Sequence, residues 1–309
     1  METSGNFYRS TAASGGLGQA MRKHPLFFFF LISYAFSWIA VIPFLLAEWG
    51  VLSGDYRLAF IIKSFGPFLA GYIMIRITEG PEGLRRFKSS FRQLRAGWGW
   101  YLFLLVGIPA LILLGIILQP GTLAGFQGMS TGLLVVYLVN FIVVFLGGGP
   151  LGEEPGWRGY ALPKLQQRYG ALWGTLFLGV LWTFWHLPDF LSPSAQGGGP
   201  GTGLATFLRN FPIFMLMVIA LAILFTWIYN HTRGSIFLAI LAHTSINTPQ
   251  LALLPLFPTV NFTQLNLAIL IAFGIPALLI VILTRGRLGY RLLPEQPAMQ
   301  PKIEIHPVR

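Results

Sequence analysis

The chain has 309 residues, of which 54% are hydrophobic and only 10% charged, whereas ordinary globular domains carry about 25% charge. That balance excludes a water-soluble globular fold and makes the lipid bilayer the expected solvent. The net charge of +11 does not mark a nucleic-acid surface, because the Lys and Arg residues sit in short gaps between apolar runs, and the absence of cysteine excludes disulfides, a thiolate metal site and a cysteine nucleophile.

Residues 1–25 are polar and read as a cytoplasmic tail. The apolar run from Leu26 is longer than a signal-peptide core of about 7 to 15 residues, so it reads as a retained anchor. Crossing about 30 Å of hydrocarbon takes roughly 20 apolar residues in a helix. Runs of that kind begin near Leu26, Leu58, Trp98, Thr131, Tyr169, Asn210, Gly234 and Leu265. They predict an all-α polytopic bundle of about eight transmembrane helices over residues 26–290. The runs are continuous and do not alternate with period two, which favours helices over a barrel. Ser192 to Gly203 reads as a Gly/Pro loop on the outer side, and residues 291–309, rich in Pro and Gln, as a disordered cytoplasmic tail.

Most of the 21 Lys and Arg residues fall at the two termini and in alternate gaps, notably Arg76 to Arg95 and Arg158 to Arg168. The positive-inside bias then predicts an even number of spans, with both termini cytoplasmic and the protein in the cell membrane.

Charge at membrane depth costs at least about 2.5 to 3.5 kcal/mol, so each such residue needs a partner, a cavity or a function. Lys63 lies in the second run. Of ten acidic residues, only Glu153, Glu154 and Asp189 border apolar runs, and of five histidines only His186 and His243 lie inside them. In Gly152-Glu153-Glu154-Pro155-Gly156-Trp157-Arg158, Pro155 suits the first turn of a helix. Glu154 precedes Arg158 by four residues, the spacing of an ion pair on one helix face, which leaves Glu153 as the unpaired carboxylate. Trp182 and His186 share a face at the same spacing, as do His243 and Asn247.

If the chain turns at Gly170, Glu154 lies 16 residues before the turn and His186 16 after it. The two are then level in an antiparallel hairpin, about 24 Å from the turn at 1.5 Å per residue. The break that lets a helix begin at this depth is Gly147-Gly148-Gly149-Pro150. His243 lies nine residues beyond Gly234, about 14 Å by the same rise, so tilt or unequal helix ends must absorb the difference.

These three motifs, in this order, resemble the signature of the CAAX prenyl protease and bacteriocin-processing family of intramembrane proteases: Glu-Glu-x-x-x-Arg, Phe-x-x-x-His and His-x-x-x-Asn. Here they read Glu153 to Arg158, Trp182 to His186 and His243 to Asn247, with Trp182 in place of phenylalanine. The resemblance extends to Gly159-Tyr160-Ala161-Leu162-Pro163 and Asn230-His231-Thr232-Arg233-Gly234-Ser235, and covers about 133–254.

It implies an intramembrane endopeptidase that hydrolyses a peptide or prenylated peptide held in the bilayer. By resemblance, Glu153 is the general base and His186 positions the water. Glu154 pairs with Arg158 to fix the motif helix, while His243 and Asn247 donate to the oxyanion. Glu153, His186 and His243 also match the two-histidine, one-carboxylate ligand set of a catalytic Zn²⁺ site, so glutamate and metal types both stand at this point. Two further readings are a catalytically silent immunity or scaffold protein on the same fold, and a secondary transporter with midplane polar residues. The second predicts an inverted repeat, which is not found, and the first the loss of a signature Glu or His, none of which is lost.

Overall fold

The computed structural model describes residues 16–147, 149–195 and 203–291. Residues 1–15, most of the Ser192–Gly203 loop and residues 292–309, the bulk of the C-terminal tail, lie outside the described residues. The described part of the N-terminal tail forms a short helix, α1 (Gly16–Lys23), whose Met21 is buried.

The first long helix is α2 (Pro25–Glu48), with Pro25 in its opening turn, where its missing N–H leaves no bond unmade. Next, α3 (Arg57–Lys63) and α4 (Gly66–Thr78) make one span interrupted at Ser64 and Phe65. Helix α5 (Gly80–Phe91) is amphipathic and buries Phe87. Then α6 (Trp98–Leu102) passes through one wide π-helical turn into α7 (Ile108–Ile117). Helix α8 (Leu133–Leu146) has no buried residue and is apolar apart from Tyr137 and Asn140, whose Nδ2 donates to Val136 O within the helix at 2.8 Å, the character of a lipid-facing helix.

The motif-bearing segment comprises α9 (Gly149–Gly156), a π-helical turn over Trp157–Ala161, and α10 (Leu162–Tyr169). It turns at Gly170, whose φ of +79° suits glycine, into α11 (Ala171–Trp185) and a 3₁₀ turn over Leu187–Leu191. The bundle closes with α12 (Gly203–His231), α13 (Ile236–Ala252) and α14 (Phe262–Leu283). Helix α13 starts at the Ser235 side chain, which accepts from Leu238 N at 3.1 Å. Helix α14 starts with a reciprocal Asn261–Gln264 box, both bonds at 3.0 Å.

The described residues are therefore all-α, in a multi-pass membrane bundle. Six helical segments are long and apolar enough to cross a bilayer, and α8 with α9–α10, bent by 41°, makes a seventh. The expected eight approximates this number because α11 is only 15 residues long, short of a full crossing on its own.

Three contacts place the motif segment. Gly152 and Gly156, one turn apart, face the start of α4, where a Cβ on either would run into the backbone carbonyl of Ser64 or Pro67. This is the small-residue spacing that lets membrane helices approach closely. On α10, Lys164 Nζ reaches Glu79 at 2.6 Å, and Arg86 Nη2 reaches it at 3.0 Å. Burial pushes the Glu79 carboxyl up, but Lys164 and Arg86 outweigh it and hold the group below its usual range. The first long helix clasps the backbone of α11, where Tyr34 Oη donates to Leu181 O and Trp38 Nε1 to Trp185 O at 3.0 Å, and just beyond both helices Trp49 Nε1 donates to Leu191 O of the 3₁₀ turn at 2.8 Å. The matched steps 34 to 38 and 181 to 185 mean that α2 and α11 run in the same direction, as alternation predicts for a first and a fifth run.

One expectation is corrected here. Helix α9 opens at Gly149–Pro150, so Pro155 lies inside it and not in its first turn, and the acidic pair occupies the second turn. An internal proline removes one backbone bond and crowds the preceding turn, and the wide turn at Trp157–Ala161 directly follows it.

The Gly156 contact is with backbone, which cannot swing aside. We expect Gly156→Ala to destabilise the protein by about 1 to 3 kcal/mol, read from thermal unfolding in detergent. Gly99→Ala, where a new Cβ meets nothing within 4 Å, is the matched control and should be neutral or slightly stabilising.

Candidate active site

Consecutive residues on a helix point about 100° apart, and α9 uses this to address three neighbours. Its glycines meet α4, Glu154 meets α13, and Glu153 meets α11. Glu154 has no exposed surface, and its Oε1 accepts from Arg158 Nη1 at 3.0 Å and His243 Nδ1 at 2.8 Å. Arg158 is equally buried, with its guanidinium 4.3 Å from the Trp182 ring and 4.6 Å from the Phe225 ring. The predicted i,i+4 ion pair is thus present, with a histidine added from another helix. Glu153 is not wholly unpaired: Trp182 Nε1 donates to its Oε2 at 2.8 Å.

His186 closes α11, and its Nδ1 lies 2.8 Å from Trp182 O. A carbonyl only accepts, so Nδ1 carries the proton, and it is Nε2 that holds the lone pair whenever the ring is neutral. The imidazole is wedged edge-on against Trp185 at 4.7 Å between centroids, with Phe214 at 5.2 Å. His243 Nδ1 likewise donates to Glu154, which turns its Nε2 away from α9. Asn247, one turn further on, has its Oδ1 3.4 Å from Gln250 Nε2.

The depth mismatch at His243 resolves through unequal helix ends. A Cβ on Gly159 would touch Ile236 Cδ1, so the first residue of α13 is level with Gly159, 11 residues short of the Gly170 turn. Helix α13 therefore starts roughly 16 Å from the level of that turn, and seven more residues carry His243 to the depth of Glu154. The space beneath is filled by the segment after α5, where Gln93 O accepts from Ser235 Oγ at 2.6 Å.

Glu153, His186, His243 and Asn247, drawn from α9, α11 and α13, line one cavity of about 370 Å³ inside the bundle. Its remaining walls are mostly apolar, with Phe214, Met217, Leu221, Ile246 and Phe262 among them. Glu154 and Arg158 stand behind the wall. A larger groove of about 680 Å³ between α6–α7, α12 and α14 is lined by Trp100, Trp227, Phe273 and other apolar side chains, with no titratable group, so the chemistry-bearing residues belong to the smaller space.

The same cavity is lined by a second ion pair, Lys63 with Asp189, in which Lys63 Nζ lies 4.4 Å from the Trp185 ring. Both charges were conspicuous in their apolar surroundings, but positions 126 residues apart offer no spacing from which to read the pairing. The Trp182 N–H bond was likewise unread.

Among the described residues, no three His, Asp or Glu side chains come together in a group that could hold a metal ion.

Two comparisons bear on the site. Residues 133–249 match a family model described as type II CAAX prenyl endopeptidase, Rce1-like. Over 211 residues the chain is 30% identical to the CAAX prenyl protease 2 of Methanococcus maripaludis, an overlap covering 64% of this chain and 73% of that protein.

Removing one member of a buried ion pair strands the other. Arg158→Ala should lower stability by about 3 to 5 kcal/mol, while Arg158→Met combined with Glu154→Leu should recover most of that loss. Chemical unfolding in detergent micelles, compared across the two variants, checks this.

Proposed function

The chain belongs to the CAAX prenyl protease and bacteriocin-processing family, and on that premise we propose that it is an intramembrane endopeptidase in which Glu153 activates a water without a metal ion. The observation that carries this reading is the convergence of Glu153, His186, His243 and Asn247 from three helices onto one cavity within the bundle.

A water in that cavity donates one hydrogen to Glu153 and the other to the His186 Nε2 lone pair, which directs its oxygen at the scissile carbonyl. As the C–O bond forms, the water proton passes to Glu153 and negative charge gathers on the carbonyl oxygen. Asn247 Nδ2 is a donor for that oxyanion whatever its surroundings. His243 adds a second donor through Nε2 when it carries a proton on each nitrogen, since Nδ1 is already given to Glu154. Collapse of the intermediate breaks the C–N bond, and Glu153 returns its proton to the leaving amine. Arg158 and Glu154 touch no reacting atom and act by holding α9 and His243.

The substrate class follows from the cavity walls and from the relatives. The walls away from the reacting residues and the Lys63–Asp189 pair are mostly apolar, with Ser64, Ser194, Gln250 and Asn266 among them, which suits a hydrophobic peptide presented from the bilayer. The relative named above is a CAAX prenyl protease and the matching family model describes CAAX prenyl endopeptidases, so a prenylated C-terminal peptide is the substrate we propose, with the bilayer as its source. The clustering of basic residues, through the positive-inside bias, supports our reading that both termini face the cytoplasm from the cell membrane.

Purified protein should cleave a farnesylated CAAX peptide in detergent or proteoliposomes. We expect Glu153→Ala to lower the rate by at least about 10² to 10⁴-fold, the contribution of a positioned base, with the melting temperature retained. Exhaustive chelation should leave wild-type activity in place. Loss of activity on chelation, restored by zinc, would return the reaction to the metal type. Absence of cleavage from folded wild-type protein would favour a silent family member.

A further inference from the structure

A phenylalanine at the head of the second motif could pack but could not donate a hydrogen bond. In this chain the position is Trp182, which touches Glu153, His186, His243 and Arg158. Its Nε1 donates to Glu153 Oε2 at 2.8 Å and its carbonyl accepts from His186 Nδ1 at 2.8 Å. Its ring lies 4.3 Å from the Arg158 guanidinium and 5.6 Å, edge to face, from His243. The side chain is 3% exposed, and its own backbone is held from behind, since its neighbours Leu181 and Trp185 are clasped by Tyr34 and Trp38 of α2.

Resting on the proposed glutamate chemistry, we propose that Trp182 is a positioning residue that assigns one atom of each reacting group to the water. The indole N–H occupies Oε2 of Glu153 and reserves Oε1 as the oxygen that takes the proton. The backbone carbonyl occupies Nδ1 of His186 and reserves Nε2 as the second acceptor. One residue therefore sets both acceptors that a water must meet at once.

The argument is one of freedom removed. A glutamate side chain has three rotatable bonds, and a carboxylate in a cavity exchanges its two oxygens by rotation about the last of them. A hydrogen bond from a ring that is itself packed on Arg158 and His243 fixes that rotation before substrate arrives, and positioning of this kind raises the chemical rate without requiring tighter binding. The Trp182 carbonyl is fixed by the helix and survives any change of side chain, so the two halves of the device can be separated experimentally.

The test replaces the Trp182 indole with the benzothiophene isostere, which keeps the ring and deletes only the N–H. Trp182→Phe serves as a second variant. On the farnesylated peptide, kcat should fall by about 10 to 100-fold, the worth of one bond to a charged acceptor, with KM within about twofold and the melting temperature essentially unchanged. Ultraviolet resonance Raman of the indole N–H, assigned by difference against Trp182→Phe, gives an activity-independent readout. The band of the wild type should report a strong bond that is lost in Glu153→Ala. A band indifferent to Glu153→Ala overturns the proposal, because the bond is then absent. A band that responds while the isostere leaves kcat unchanged also overturns it, because the bond then positions nothing. Cleavage that survives Glu153→Ala, or that is absent from the wild type, removes the base itself and defeats the underlying reading whatever the Raman band does.

Discussion

A carboxylate with no exposed surface cannot remain in a membrane bundle unless donors meet it, and the arrangement of Glu154 organises this molecule. Arg158 meets it from one turn along the same helix and His243 meets it from α13. Once Glu154 is committed to α13, the geometry of a helix commits its neighbours. Glu153 must point to α11, and Gly152 and Gly156 must point to α4. The close approach of α9 to α4 is available because those two positions carry no side chain to obstruct it. The charge that requires a partner and the glycines that require a neighbour thus fix one short helix on three sides. The cavity forms on the Glu153 side of that helix, between the end of α11 and α13.

Much of this is legible in the amino-acid sequence. Apolar run length gave the all-α membrane class, the four-residue spacing gave the Glu154–Arg158 pair, and equal spacing about Gly170 put the first two motifs at one depth. Those inferences succeed because they concern a single helix or a single hairpin, where rise and turn per residue are fixed. Inference from spacing stops where helices meet. The level of His243 depends on where α13 begins, and that is set by Ile236 packing opposite Gly159 and by the segment after α5 beneath it, neither visible as a period. Pro155 was placed at a helix start because prolines favour that position, yet Pro150 takes the role five residues earlier and Pro155 is carried within the helix.

The second ion pair teaches the same lesson from the other side. Lys63 and Asp189 each stood out as charges without an excuse, and together they excuse one another. Lys63 ends α3, just before the break at Ser64 and Phe65, and Asp189 sits in the 3₁₀ turn that follows His186. Joining them ties two interruptions of regular helix to each other at the rim of the cavity. Irregular backbone is tolerated at membrane depth where protein or a cavity surrounds it, and here each irregular segment supplies part of the other's surroundings.

The clasp of α2 on α11 has a consequence for how the protein is made. The donors on Tyr34, Trp38 and Trp49 and the carbonyls they serve are separated by 142 to 147 residues. At the synthesis rate of about 5 to 20 residues per second, the earlier helix waits roughly 7 to 30 seconds in the lipid before its acceptors emerge from the ribosome. The first span to leave the translocon must therefore stay close at hand, or return, to receive the fifth. The cavity that gathers Glu153, His186 and His243 is then a product of late assembly, sealed only after most of the chain has been translated.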